Sequence, residues 1–374
     1  MKIFIINNKL LFVLFAFLSI IFSNVSAQDD PIEKGLKAIN ENVIKAQVGF
    51  LASDWTEGRE VGERGEYLAG EYIASMLQLY GIKPFGDMTN SDSTQSRSYF
   101  QNFVLLKTTE EAEQAPLLKT VEEKNTQEFD IDFSVRTIES TYEILKESAI
   151  IKTTSSTTQV TVRNIIGIIE GKNTEQYIVL GAHYDHLGIW NGYVWNGADD
   201  NASGTVGIMT IAKAIVETGV KPEKSIIIAL WTAEEVGLLG SRYYLDNLNY
   251  PLDRIKLNLN FDMISRYIAD NEPRSVTMTY TDKYHPEFRD ITDSNLRKYG
   301  IDLIVDYQPS ADPPGGSDHR SFTAKGIPVM RFKPGHREEY HTPLDEISTI
   351  NWDIMEKIIK IGFANIWHLA NSEW

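Results

Sequence analysis

The stretch Gly181-Ala182-His183-Tyr184-Asp185-His186, followed by Gly197-Ala198-Asp199-Asp200-Asn201-Ala202-Ser203-Gly204, gathers histidines and carboxylates between an apolar run and a helical one. Imidazole nitrogens and carboxylate oxygens are zinc donors, and the chain has no cysteine to compete for the metal. Three further segments carry the same kinds of group: Ala233-Glu234-Glu235, Phe261-Asp262-Met263 and Tyr340-His341-Thr342. Two zinc ions about 3.5–4 Å apart need a bridging carboxylate and terminal ligands from both sides, and water held between two cations loses a proton near neutral pH. These residue types therefore suit metal-assisted hydrolysis. Adjacent glutamates can divide the work, because neighbouring side chains point in different directions. One can face a metal while the other takes a proton from water and returns it to a leaving amine.

Residues so far apart in sequence need a fold to gather them. Continuous apolar runs at 164–169, 177–180, 225–231, 257–261, 276–280 and 327–332 read as strands buried on both faces. Helical patterns alternate with them at 203–217, 236–248, 285–299 and 351–370. The fold class is therefore α/β, with a central mixed, mostly parallel twisted sheet flanked by helices on both faces. Ligands in such folds collect outside the carboxyl ends of strands. His183 and Asp185 follow one strand, Glu234 and Glu235 another, and Asp262 a third. Asp200 opens a helix, and His341 lies in a loop before the last one.

Upstream, residues 31–51 and 66–80 have helical spacing, with Gly81 suited to a C-terminal cap. Residues 53–65 and 86–97 read as polar loops. Residues 102–160 alternate short β-like runs with charged turns and no long buried strand. They are expected to be a small inserted or peripheral segment of one domain spanning 28–374.

Lys2 and Lys9 accompany an apolar run at 10–23, and Val25-Ser26-Ala27 is a small-residue cleavage signal. The run is too short for a comfortable membrane span. Residues 1–27 are expected to be a signal peptide. The protein would then be exported, to the periplasm or beyond, with no stable membrane anchor after cleavage. A formal charge of −16 repels nucleic-acid phosphates. Without cysteine there are no disulfides, so stability rests on core packing and on metal.

The five blocks, in this order, resemble the co-catalytic zinc aminopeptidases, a superfamily of zinc exopeptidases that also includes glutamate carboxypeptidase and glutaminyl cyclases. The likeness covers about 162–346 and takes in 50–84, where Glu57-Gly58-Arg59 and Gly62 look like the family's N-terminal segment. The resemblance implies a zinc-exopeptidase fold and two Zn2+ ions. His183 and Asp262 would bind one ion, Glu235 and His341 the other, and Asp200 would bridge them. It further implies a cis peptide at Asp200–Asn201. Asp185 would accept the second ring N–H of His183 and fix its tautomer, and Glu234 would be the general base. The substrates would be peptides with a free N-terminus, cleaved at the first peptide bond by a hydroxide shared between the metals.

Relatives often carry a tyrosine, the oxyanion donor, shortly before a Ser-Asp-His segment. Here Ala311-Asp312-Pro313-Pro314-Gly315-Gly316 precedes Ser317-Asp318-His319, and the tyrosine is missing. Tyr340 and His319 are the remaining candidates beside the metal itself. Asp199 reads as a turn residue beside Asp200, and His186 as lining the site or solvated. Asp318 reads as a supporting residue or a helix cap, and His285, His336 and His368 as structural or exposed. The same resemblance offers three other functions. A glutaminyl cyclase typically has tryptophan before the last histidine and uses one zinc, whereas Tyr340 precedes His341 here. A carboxypeptidase would grip the substrate carboxylate through arginines such as Arg320 and Arg331. A non-catalytic binding protein would have lost ligands that this chain retains.

Overall fold

The structure, a computed structural model, describes residues 30–91, 94–109, 140–145, 157–282, 285, 287–333, 335 and 337–374. The expected signal peptide and His336 lie outside the described residues.

The helices are α1 Pro31–Ala38, α2 Glu41–Leu51, α3 Arg64–Leu79, α4 Gly204–Glu217, α5 Leu239–Asp246, α6 Glu287–Tyr299, α7 His319–Thr323 and α8 Trp352–Asn371. The strands are β1 Lys83–Pro84, β2 Met88–Ser91, β3 Thr94–Arg97, β4 Phe100–Thr109, β5 Ser140–Ile144, β6 Thr157–Ile169 and β7 Asn173–His183. They continue with β8 Ile189–Trp190, β9 Tyr193–Val194, β10 Lys224–Trp231, β11 Ile255–Phe261, β12 Ser275–Thr281, β13 Ile304–Ser310 and β14 Val329–Lys333.

Among the described residues, ten strands make one sheet in the order β13-β12-β14-β11-β7-β10-β6-β4-β5, with β1 added to β6. The expected mixed α/β sheet is present. Its centre is parallel: β7 lies between β10 and β11, and β11 pairs with β14 in the same sense. The β6–β4–β5 arm is antiparallel. Side chains alternate between the faces, as the strand period of two requires. Ile178, Leu180, Ile226 and Ile228 pack in one core with α4 and α8, whereas Tyr177, Val179, Ile227 and Trp231 meet Tyr244, Leu245 and Phe322 in the other.

Four readings change. The loop expected over 86–97 holds the paired strands β2 and β3. Of the stretch 102–160, residues 110–139 and 146–156 lie outside the described residues, but its ends belong to long strands: β4 and β6 pair from Phe100↔Ile165 to Thr108↔Thr157 and extend the main sheet. Phe103, Leu105 and Val162 are buried with Val61 and Ala233, while Val104 and Leu106 are half-buried and 157–161 is mostly polar, so only the 164–169 half of β6 reads as a buried strand. The helix expected over 31–51 is two helices. Asn40 is extended and its side chain accepts the N–H groups of Asn42 and Val43, so it caps α2 and ends the first helix. Finally, β13 extends the sheet beyond β12 with mostly exposed residues that give no buried-strand signal.

Candidate metal centre

The parallel centre of the sheet delivers the candidate residues. His183 ends β7 and is in register with Trp231, the last residue of β10. Glu234 and Glu235 therefore emerge just beyond the neighbouring strand end. Asp262 follows Phe261, the end of β11 on the other side of β7. Asp200 lies in the Ala198–Ser203 turn before α4, and His341 in the loop between β14 and α8. The backbone bends sharply where it must aim these groups: Ala233, Met263 and His341 all have positive φ. Such conformations cost about 1–3 kcal/mol each in residues other than glycine and concentrate at functional sites. The Asp200–Asn201 peptide is cis.

All five residues expected as metal ligands converge, with Asp200 at the middle. Its Oδ1 lies 3.4 Å from His183 Nε2, which is 3.7 Å from Asp262 Oδ1. Its Oδ2 lies 3.0 Å from His341 Nε2, which is 3.3 Å from Glu235 Oε2. Two ligands on one tetrahedral zinc, each at about 2.0–2.2 Å, sit about 3.3–3.6 Å from each other. The observed separations cluster around that range. Glu234 Oε2 is 4.0 Å from His183 Nε2, on the rim of the same cluster.

The charges point the same way. Burial alone would keep His183 neutral, yet Glu234, Asp185, Asp200 and Asp262 raise its pKa well above the ordinary value. His341 is pushed up to about 10, with the bonds to Asp200 and Glu235 outweighing burial. Burial, helped by the charges of Glu235, Asp318 and Asp262, drives Glu234 well above the usual carboxylate range. Asp200 is also buried, but hydrogen bonds from His183 and His341 hold it well below that range. Buried carboxylates gathered without matching cations are costly. This cluster seeks positive charge, and its donors suit zinc.

Supporting residues fix the ligands. His183 Nδ1 is 3.2 Å from the main-chain oxygen of Asp185, which takes the ring N–H in place of the expected carboxylate, 3.7 Å away. The Asp185 carboxylate has a different task, one that the sequence did not reveal: it accepts the N–H of Glu234 at 3.1 Å and of Glu235 at 3.2 Å. Asp185 therefore links the β7 end to the turn carrying both glutamates. Asp345 does the same for the bridging residue, accepting the N–H groups of Asp199 and Asp200, both at 2.9 Å. Asn201 accepts from Met263 N at 3.1 Å and donates to Phe261 O at 3.1 Å, which ties the Asp200 turn to Asp262. Gly204 allows this approach, since a Cβ there would lie 2.3 Å from Asn201 Oδ1. Asp199 is a buried brace, accepting from Ser265 N and Oγ at 3.0 and 2.6 Å.

His186 is buried rather than solvated, with Nδ1 2.8 Å from Glu235 Oε1. Arg59 is fully buried and donates to the carbonyls of Tyr184, Leu51, Asn196 and Gly197, joining the N-terminal loop to both metal loops.

The oxyanion candidates separate. His319 is held neutral, pushed down to about 3 by burial and the neighbouring Arg331. Its Nε2–H is given to the Pro314 carbonyl at 3.1 Å, so no N–H remains for an oxyanion. Tyr340 stacks on the His341 ring at 3.8 Å. Asp318 occupies the position before α7 without making a capping bond, and burial pushes it up to about 7. Arg331 binds Asp262 Oδ2 at 3.1 Å and Arg320 binds Asp312 at 2.9 Å, so neither makes an open arginine pair. His285 packs against Phe288 and Trp374, and His368 is exposed.

Fold and site together define an α/β protein with a buried cluster of candidate metal ligands at the carboxyl ends of its parallel strands. The sequence model of Peptidase family M28 matches residues 164–365, and the chain belongs to that family. It is 35% identical over 172 residues to Leucine aminopeptidase 2 of Arthroderma otae, covering 44% of this chain and 32% of that protein. It is 30% identical over 173 residues to Leupeptin-inactivating enzyme 1 of Streptomyces exfoliatus, covering 44% and 34%. The chain thus spans about a third of the length of the curated relatives it matches. Among solved structures, the fold is similar to that of BSAP, a zinc aminopeptidase from Bacillus subtilis, with a TM-score of 0.62, 19% identity and coverage of 89% and 96%. An aminopeptidase from Aneurinibacillus sp. strain AM-1 matches with a TM-score of 0.60, 17% identity and coverage of 91% and 97%.

Proposed function

We propose that this protein is a zinc aminopeptidase that removes the N-terminal residue from peptides with a free α-amine. The observation that carries the reading is the division of Asp200, one oxygen facing His183 and Asp262 and the other facing His341 and Glu235. That division supports two Zn2+ ions per chain, with Asp200 as the bridge. Bound zinc supplies polarisation of a carbonyl and a lowered pKa for water.

The chain's own residues do the rest. Glu234, kept basic by its buried, carboxylate-rich surroundings, takes the proton of the attacking water and delivers it to the leaving amine nitrogen. Asp185 holds the main chain of both glutamates and backs His183. Tyr340, beside His341, is the remaining side-chain candidate to donate to the oxyanion. Export through the N-terminal segment is part of the proposal. Tyr340 before His341 and a complete second donor set favour hydrolysis over glutaminyl cyclisation, and the paired arginines weigh against a carboxypeptidase.

Leucyl-p-nitroanilide should be hydrolysed, with loss of activity on chelation and recovery with zinc. Glu234→Gln should keep its zinc while kcat falls about 100–10,000-fold. Full turnover by verified metal-free protein, or by Glu234→Gln, would refute the proposal.

A further inference from the structure

Between His186 and Asp200 the chain forms a short hairpin that the chemistry above does not use. Strands β8 and β9 pair as Ile189↔Val194 and Trp190↔Tyr193. Asn191 and Gly192 both have positive φ, the tight hairpin turn that Asn-Gly favours. The hairpin carries Ile189, Trp190 and Tyr193 at 49, 37 and 45% exposure. A cluster of large apolar side chains on so small a hairpin, in so acidic a chain, marks a binding surface.

Its position says what it binds. Trp190 and Tyr193 stand against the buried Trp195, with ring centroids 5.8 and 6.5 Å away. On its indole edge Trp195 donates to the main-chain oxygen of His341 at 3.4 Å. His341 is the most exposed of the five converging donors, at 14% of its side chain, so the cluster opens on that side. The hairpin therefore stands beside the loop that carries His341, one indole away from its main chain. A peptide whose N-terminus is held at the buried cluster can continue in only one direction, outward. An extended chain advances about 3.3 Å per residue, so its third and fourth residues come level with the exposed rings.

We propose that the β8–β9 hairpin is an outer subsite that recognises an apolar or aromatic side chain at the third or fourth residue of the peptide substrate. This rests on the aminopeptidase reading. Partial burial of an aromatic side chain against Trp190 and Tyr193 is worth about tenfold in kcat/KM.

The test uses the full zinc-loaded enzyme with leucyl-p-nitroanilide and the tetrapeptides Leu-Gly-Phe-Gly, Leu-Gly-Gly-Phe and Leu-Gly-Ser-Gly. Wild type should favour at least one Phe peptide over the Ser peptide about tenfold. Trp190→Ser with Tyr193→Ser should abolish that preference and leave nitroanilide hydrolysis unchanged. Equal wild-type rates for all three peptides would overturn the inference without any variant, as would a preference that survives the double substitution or the milder Tyr193→Ala. Failure to hydrolyse the nitroanilide at all would instead overturn the aminopeptidase reading.

Discussion

Asp185 shows how much one carboxylate organises here. Its two oxygens take the N–H groups of Glu234 and Glu235, and the same side chain stands behind His183. An asparagine would keep one acceptor but point an amide N–H at a main-chain N–H. Asp185→Asn should therefore weaken zinc binding and lower kcat/KM, each by about 10–100-fold, the usual cost of removing a residue that orients a ligand. Competition with a chromophoric chelator reads the first quantity and nitroanilide kinetics the second. Unchanged zinc affinity would show that Asp185 positions neither glutamate nor histidine. At this scale the converging donors were legible, because few residue types can serve as ligands and they fall at strand ends. Arg59, Asp345 and the main-chain task of Asp185 were not. Their partners are main-chain carbonyls and amides, which sequence does not display.

Elements position these residues through a small number of crossing ties, and Arg59 is the densest. It lies within the turn Asp54–Arg59 and gives its donors to four carbonyls, one at the end of α2, one just after β7 and two just before the Ala198–Ser203 turn. Burial lowers its pKa to about 10, against the pull of Asp345 and Asp200, so it stays charged at neutral pH. Arg59→Met would leave the Tyr184 and Asn196 carbonyls without a donor, whereas Leu51 keeps the Thr56 hydroxyl and Gly197 keeps the Ala202 N–H. At about 1–3 kcal/mol for each group left unsatisfied, the loss should be at least ~2 kcal/mol. Urea denaturation should show a lower midpoint with an unchanged slope; a shift below ~1 kcal/mol would mean that the loops hold without it. Elements buried on both faces, such as β7 and β10, were legible as continuous apolar runs. The strand β4 and the first half of β6, 157–163, were not, because they bury only alternate residues such as Phe103, Leu105 and Val162 and are otherwise polar or half-covered. Nor did periodicity reveal the break at Asn40, since apolar spacing runs on through it, and only the side-chain cap ends α1. The Asn191-Gly192 turn was written in the sequence in ordinary hairpin terms, but its flanking strands are only two residues each.

For the whole molecule, a strongly acidic chain must manage its buried carboxylates, and one of them gives a pH signature separate from the proposed metal ligands. Glu66 is buried in α3, where it accepts from Gly62 N–H at 2.6 Å and from the Thr232 hydroxyl. Burial, reinforced by the charge of Asp185, raises its pKa from 4.5 to about 8. The folded protein thus holds this proton more tightly than the unfolded chain does. Its stabilising contribution is complete below about pH 4.5, declines as pH rises, and is lost once pH passes about 8. Glu66→Gln stays neutral throughout. It should therefore be more stable than wild type at pH 9, by a few kcal/mol at most, and no more stable at pH 4. Thermal unfolding at the two pH values measures this, and an identical difference at both would contradict it. The acidic surplus was evident from composition; which carboxylates are buried was not, since that depends on what the sheet brings together.

Metal analysis of the purified protein tests the central claim most directly. After equilibration with trace zinc and removal of loosely held ions, mass spectrometry of the protein's metal should find two zinc ions per chain. Asp200→Ala, which removes the shared oxygen pair, should lose both. One zinc or none in the wild type, or two retained by Asp200→Ala, would contradict a centre in which Asp200 joins two metals.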